Sequence, residues 1–177
     1  MFDLTTVGHF AVDLIVSPRI TRPRDSLGGP PTYTSIAARK LGAEVSVISK
    51  VGGDFPAKYV DWLVKNGVDL SGLIRVDDAP STRFVLSYEE RGRTLRLKSR
   101  APSIAPSDIP ESLESKAIHA SPIANELSSE TIGKLRGLTE ILSLDPQGLV
   151  REFDGEGNTR LKRLEDNRIL KDIDVLR

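Results

Sequence analysis

Residues 27 to 54 constrain the fold more than any other stretch of the chain. Leu27-Gly28-Gly29-Pro30-Pro31-Thr32-Tyr33-Thr34-Ser35 leads into a helical run that ends at Leu41-Gly42. A β-branched segment from Glu44 to Val51 then closes on Gly52-Gly53-Asp54. Prolines in the first helical turn remove N–H groups that have no partner inside the helix anyway. Gly42 suits the left-handed conformation that often follows a helix. The glycine pair lets the backbone approach a ligand with no Cβ in the way, and the helix start beside it offers unpaired N–H groups and a partial positive charge. Taken alone, such a junction serves equally well as a tight strand-to-helix connection.

The same rhythm runs on both sides of this segment. Strands are predicted over residues 3–7 and 10–16, with an exposed turn over 17–24. A helix over 32–41 buries Ile36, Ala37 and Leu41, a strand covers 44–51, and a helix over 55–66 turns Tyr59, Val60 and Leu63 inward and stops at Gly67. Strand–helix–strand–helix order implies a parallel sheet with right-handed crossovers. Residues 71–99 break the pattern. They alternate about Arg91-Gly92 as a hairpin, with Phe84, Leu86 and Tyr88 on one side and Leu95 and Leu97 on another short apolar face. This hairpin is either a lid or a surface element at the sheet edge. A proline-rich loop over 101–110 follows. The α/β order then resumes with a strand over 117–121, a helix over 128–137 and a strand over 140–144, ended by Asp145-Pro146-Gln147-Gly148. Residues 153–159 read as a Gly/Asp turn, and 169–176 open a further unit.

Composition narrows the function classes. The 177 residues hold 25 basic and 25 acidic side chains, so no global field favours nucleic acid or an anionic membrane. There are no cysteines, which removes disulfides and thiolate metal sites, and two histidines, His9 and His119, do not build a metal site by themselves. No apolar run approaches the ~20 residues that span a bilayer, and no leader-like segment opens the chain. The expectation is a cytoplasmic protein without a metal centre of its own.

Gly28-Gly29, Ser35, Gly42 and Gly52 together resemble the N-terminal signature of the ribokinase family, the pfkB carbohydrate kinases. Val51-Gly52-Gly53-Asp54 through Leu63, then Asn66-Gly67-Val68-Asp69, is similar to that family's next turn, helix and strand entry. Two positions depart from the pattern: Tyr33 stands where asparagine is usual, and Ala57 where glycine is usual. The resemblance implies an α/β fold, a ribokinase-like parallel sheet flanked by helices with a small antiparallel β lid. It also implies one partial domain over 1–177, with lid strands at roughly 10–29 and 71–99.

Site residues follow by the same resemblance. Asp13, a carboxylate among Phe10, Ala11, Val12, Leu14 and Ile15, lies on the wet face of a strand or pairs with a ligand. It matches the aspartate that accepts hydrogen bonds from substrate hydroxyls. Gly28 and Gly29 match the hinge beside the substrate, and Tyr33 stacks on a ring or fills the pocket. Asn125 and Glu126 match positions near the substrate in archaeal-type members. Asp145, Gln147 and Arg151 match the phosphate-transfer path, and Arg151 is suited to bidentate contact with phosphate. Asp145-Pro146 is equally a turn start and Arg151 equally a surface arginine. Lys50, Asp54 and Thr82 fall near the same edge, with Asp54 also a natural helix cap.

The family's glycine-rich Asp-Thr-x-Gly-Ala-Gly-Asp-like motif, which supplies base and anion hole, occurs nowhere from Met1 to Arg177. The resemblance therefore implies a truncated kinase. Its substrate-binding half is present, the catalytic residue lies beyond Arg177, and the 177-residue chain is inactive alone. The intact protein is expected to use ATP and Mg²⁺ to phosphorylate a hydroxyl of a sugar, nucleoside or cyclitol. It is expected to form a homodimer through the lid, without nucleic-acid or membrane partners. A binding or assembly module that kept the fold and lost catalysis is the alternative.

Overall fold

Strands in the middle of a parallel sheet are buried on both faces, and the strand after the first helix, Val45–Gly52, is buried at every residue but Lys50. In the computed structural model, which describes residues 1–90 and 92–177, this strand (β4) lies between β1 (Phe2–Val7) and β5 (Asp69–Val76). Among the described residues six strands form one sheet. Its order is β12 (Val175–Leu176), β9 (Ile141–Leu144), β8 (Ser115–Ala120), β1, β4, β5, and every pairing is parallel. Neighbours on β4 face opposite layers. Val47 packs with Phe10, Phe55 and Leu63 on the side of α1 (Pro30–Lys40) and α2 (Ala57–Lys65). Ile48 packs with Ile118, Ile132 and Leu142 on the side of α3 (Ser129–Arg136). The result is an α/β layered domain, and among the described residues no helix is long and apolar enough to cross a membrane.

Helix α1 begins as the prolines require, with Gly29 before it at φ +89° and Gly42 after it at φ +88°. Its buried residues are Pro31, Thr32 and Ser35, small side chains that let the helix lie close to the sheet. Of the three residues expected to be buried, Ile36 is half-buried, Ala37 is exposed and Leu41 is 89% exposed. Leu41 is the C-cap residue, where the chain has already left helical geometry and turned away from the packed face.

A second sheet stands over the first. Its order is β3 (Arg24–Gly28), β2 (Ala11–Val16), β6 (Thr82–Glu89), β7 (Gly92–Ser99). The outer pairs are antiparallel, whereas β2 and β6 run parallel, because β2 leaves the core at Phe10 and β6 leaves it at Ser81 in the same direction. The hairpin turn expected at Arg91-Gly92 falls partly on Arg91, which lies outside the described residues. Across β6 and β7, Phe84 faces Leu97 and Leu86 faces Leu95. The two apolar sets therefore share one face, not two, and Ile123, Ala124 and Phe153 cover part of it.

The turn expected over residues 153–159 joins the two strands of a small hairpin, β10 (Arg151–Phe153) and β11 (Thr159–Leu161). The Asp154 carboxylate accepts from the N–H groups of Glu156 and Asn158 at 3.0 and 2.9 Å, folding the turn on itself. The hairpin then extends the lid edge, where Leu97 N–H donates to Gly157 O at 2.8 Å.

Candidate functional site

Ligands of parallel α/β sheets bind beyond the carboxyl ends of the strands. There, between the lid and the loops after β8 and β9, lies a cavity of about 350 Å³. Asp13 and Ala11 reach it from β2, Gly29, Tyr33 and Thr34 from the start of α1, and Phe84, Leu86, Arg93 and Leu95 from the lid hairpin. Ile123, Asp145, Gln147, Arg151 and Arg177 complete the opposite wall. Asp13 thus sits beneath a lid face that is apolar but for Arg93, and the opposite wall carries Asp145, Arg151 and Arg177.

Asp13 carries its carboxylate into a half-buried place. Burial pushes its pKa up to about 6, against the opposing pull of Arg93. No hydrogen-bond donor among the described residues holds it, so its acceptor capacity faces the cavity. Gly28 makes room for it, since a Cβ at residue 28 would overlap the carboxylate. Gly29 is required for a separate reason. At φ +89° a side chain is strained, and a Cβ there would meet the backbone of His9, Phe10 and Ala11. Tyr33 stands at the cavity mouth, 63% exposed, with its phenol pKa raised by partial burial and by the charge of Asp13.

The far wall is built by two loops that clasp each other. Asp145 accepts from Gln147 N–H at 3.0 Å, and Gly148 N–H donates to Pro122 O at 2.7 Å, so close that a Cβ on Gly148 would meet Pro122 and Ile123. Arg151 Nη1 donates to Ile123 O at 3.2 Å. Burial, and then the nearby Arg93 guanidinium, disfavour the charge of Arg151.

Asn125 and Glu126 lie behind this wall rather than in it. Glu126 is fully buried, and its carboxylate accepts from the N–H groups of His9, Ile123 and Ala124 at 2.7–3.0 Å. Asn125, at φ +59°, donates its carboxamide to Arg151 O at 2.9 Å. Both therefore shape the loop that presents Ile123 and Arg151. Lys50 pairs with Asp108 at 2.5 Å, away from the cavity. Asp54 does not cap α2, whose cap residue is Pro56. It accepts from Ser81 N–H at 2.7 Å and from Arg83 Nε at 2.9 Å.

Buried Thr82 donates its hydroxyl hydrogen to His9 Nδ1 at 2.8 Å and accepts from Ala101 N–H at 3.1 Å. His9 Nε2 donates to Pro102 O at 3.1 Å, and burial lowers the pKa of the ring, keeping it neutral. Arg93 is a charged cavity residue that the sequence reading passes over, as is Arg177. The signal for Arg93 is parity, since Arg93, Leu95 and Leu97 alternate onto one face and Leu95 lies opposite Leu86.

A family model described as pfkB family carbohydrate kinase matches residues 1–118. A cytidine kinase of Thermococcus kodakarensis is 27% identical over 152 residues, covering 82% of this chain and 52% of the relative. An inositol 3-kinase of Oryza sativa subsp. japonica is 30% identical over 142 residues, covering 75% of this chain and 34% of that protein. Among solved structures, a pyrophosphate-dependent kinase in the ribokinase family, complexed with a pyrophosphate analog and myo-inositol, superposes with a TM-score of 0.84 at 25% identity. It is covered over 60% of its length by 98% of this chain. The chain thus spans between 34% and 60% of the length of these proteins.

Proposed function

The chain belongs to the pfkB family of carbohydrate kinases, and from that premise we propose that residues 1–177 form the acceptor-binding half of a kinase that phosphorylates a hydroxyl of a small polyhydroxylated molecule. The observation that carries this reading is the Asp13 carboxylate, set against Gly28 and open to the cavity under an apolar lid. Sugar-like hydroxyls would donate to Asp13, while the lid face of Phe84, Leu86 and Leu95 covers the carbon skeleton. The names of the relatives favour a nucleoside or cyclitol among such acceptors. Tyr33 at the mouth offers a flat surface for either.

Phosphoryl transfer rests on positioning and on charge stabilisation at the transferred group. We assign the reception of that group to Arg151 and Gln147, which line the same cavity as Asp13. The general base and the glycine-rich anion hole are assigned outside these residues, since no matching run occurs in them. We take the donor to be ATP with Mg²⁺, which supplies the phosphoryl group and its charge neutralisation when bound. The described residues contain no cluster of three His, Asp or Glu side chains able to cage a metal, and no step is assigned to one here. Pairing of two lids is part of the same proposal. Leu14 lies opposite Val85 on the face turned from Asp13, and both are only half-buried.

The test is a thermal-shift screen of sugars, nucleosides and inositols against the chain and its Asp13→Asn variant. Binding to the folded state raises its melting temperature by mass action. A hit that needs Asp13 supports the reading. A panel with no Asp13-dependent hit would overturn it.

A further inference from the structure

Tyr33 lines two cavities, the acceptor site and a larger groove of about 680 Å³ at the outer edge of the lid sheet. The groove runs between α1, which supplies Tyr33, Ile36 and Lys40 at helical spacing, and α2, which supplies Lys58, Tyr59 and Trp62. Strand β3, the last of the lid sheet, borders it. Trp62 is the one tryptophan of the chain, yet it is 45% exposed, and Tyr33 is more exposed still. Large aromatic side chains left together at a groove mark a surface that makes contact with something else. The charges say of what kind. Lys40 and Lys58 form no ion pair among the described residues, whereas Asp25, the acidic residue of the groove, has Arg83 at 3.9 Å. Lys58 stands in the first turn of α2, where the helix dipole disfavours a cation, and no acidic residue shares that turn. Its ammonium lies 5.1 Å from the centroid of the Tyr59 ring, and the Tyr59 hydroxyl is buried with no hydrogen-bond partner, a donor left unused. A cage for an organic cation sets carboxylates beside its rings, not two unpaired lysines.

We propose that the groove between α1, α2 and β3 is a second ligand site, for a planar aromatic molecule that carries a negative charge, with its rings against Trp62 and Tyr33 and its anionic group between Lys40 and Lys58. The site is independent of the acceptor reading above and takes a different class of molecule. Ring-on-ring contact gains more than the burial of area alone, which an aliphatic anion forgoes. A neutral ring leaves both ammonium groups unanswered. At about 680 Å³ the groove falls in the range of small-molecule sites, roughly 300–1,000 Å³, and accommodates a fused two-ring system with its charged substituent. Strand β3 belongs to the lid sheet, whereas α1 and α2 pack on the core sheet. An occupant of the groove therefore touches both, and it stands against the same Tyr33 that guards the acceptor cavity.

Calorimetric titrations of the 177-residue chain with 2-naphthoate, 2-naphthamide and 2-(aminomethyl)naphthalene hold the rings constant and vary the charge. Cyclohexanecarboxylate keeps the charge without the aromatic face, and the indole N–H resonance of Trp62, the sole tryptophan, reports occupancy of the groove. The naphthoate should bind about tenfold or more tightly than the amide, the amine and the cyclohexane acid, as expected for charge-assisted contact added to stacking, and it should shift the Trp62 resonance. The paired change Lys40→Gln with Lys58→Gln should erase the advantage of naphthoate over its amide, and added salt should shrink it. Trp62→Leu should weaken both about tenfold. All three side chains are exposed, so these variants should keep the melting curve of the parent. Arg93→Gln, which alters only the acceptor cavity, should leave naphthoate affinity unchanged. The proposal is overturned if naphthoate does not bind, if the amide or amine binds as well, or if cyclohexanecarboxylate equals it. Affinity that follows Arg93 in place of the two lysines would put the anion in the acceptor cavity and overturn it too. So would dimers that Trp62→Leu dissociates in light scattering, since the occupant of the groove would then be a second copy of the chain.

Discussion

Gly28 sits directly against the Asp13 carboxylate, and a single methyl group on residue 28 would occupy the space of its oxygens. The two residues act as one device: the glycine is what allows an ionisable group into that half-buried place. Asp13→Asn should weaken acceptor binding by about one to two orders of magnitude, the worth of a charged hydrogen-bond acceptor. Gly28→Ala should lose a comparable amount by displacing the carboxylate. The double variant should lose little more than either single one, because both changes remove the same interaction. Additive losses by calorimetry would show that the two residues act separately.

The raised pKa of Asp13 sets a direction for stability against pH. Below the ordinary carboxylate value of 3.8 the group is protonated in both folded and unfolded chains and contributes nothing. Between 3.8 and about 6 the unfolded chain ionises first, and above about 6 the full penalty falls on the folded state. Without ligand, the protein should therefore lose stability as pH rises from about 4 to 7. The loss is up to about 2–3 kcal/mol before solvent screening at the cavity reduces it. Asp13→Asn should be more stable than the parent at pH 7 and indistinguishable from it near pH 4. Chemical denaturation at the two pH values measures this, and equal midpoints at pH 7 would refute it.

Glu126 is predicted to matter for folding before it matters for binding. Its carboxylate answers backbone donors from His9, Ile123 and Ala124. Glu126→Gln turns one acceptor into a donor facing a donor. A buried mismatch of this kind costs about 1–3 kcal/mol, or several degrees of melting temperature at this size at roughly 2–4 °C per kcal/mol. An unchanged melting curve would mean that the loop is held by other contacts.

If two lids pair, Leu14→Glu should produce monomers by light scattering without lowering acceptor affinity, because Leu14 lies on the face opposite Asp13. A parent protein that is monomeric at every concentration would rule the pairing out.

A coupled assay with a polyol panel, ATP and Mg²⁺ should read background for residues 1–177. Loss of one preorganised donor typically costs roughly 10²–10³ in rate, and here base and anion hole are both assigned elsewhere. Turnover would relocate the catalytic residues into the chain.

Much of the fold is written in local chemistry. Gly42 and Gly67 mark helix ends, and the β-branched Val45, Val47, Ile48 and Val51 announce strand β4. What local chemistry does not carry is register. That Phe84 opposes Leu97, and that Arg93 therefore falls on the cavity side with Leu95, depends on a pairing fixed across the whole hairpin. Asn125 and Glu126 show the same limit at the site. Polar residues after a strand look like ligand contacts, but whether such a carboxylate faces a substrate or three backbone N–H groups depends on how the loop folds back to His9.

The hydrogen bonds joining Thr82 to His9 and Ala101 give the lid a mechanical character. Its root is bolted to the core by a buried three-way joint, while Tyr88 and Arg93, farther along the hairpin, remain exposed. A lid rooted this way would bend as a cantilever and not swing as a door: any bend over a bound molecule would carry Arg93 farther than Asp13, whose strand partner Phe84 lies two residues from the root.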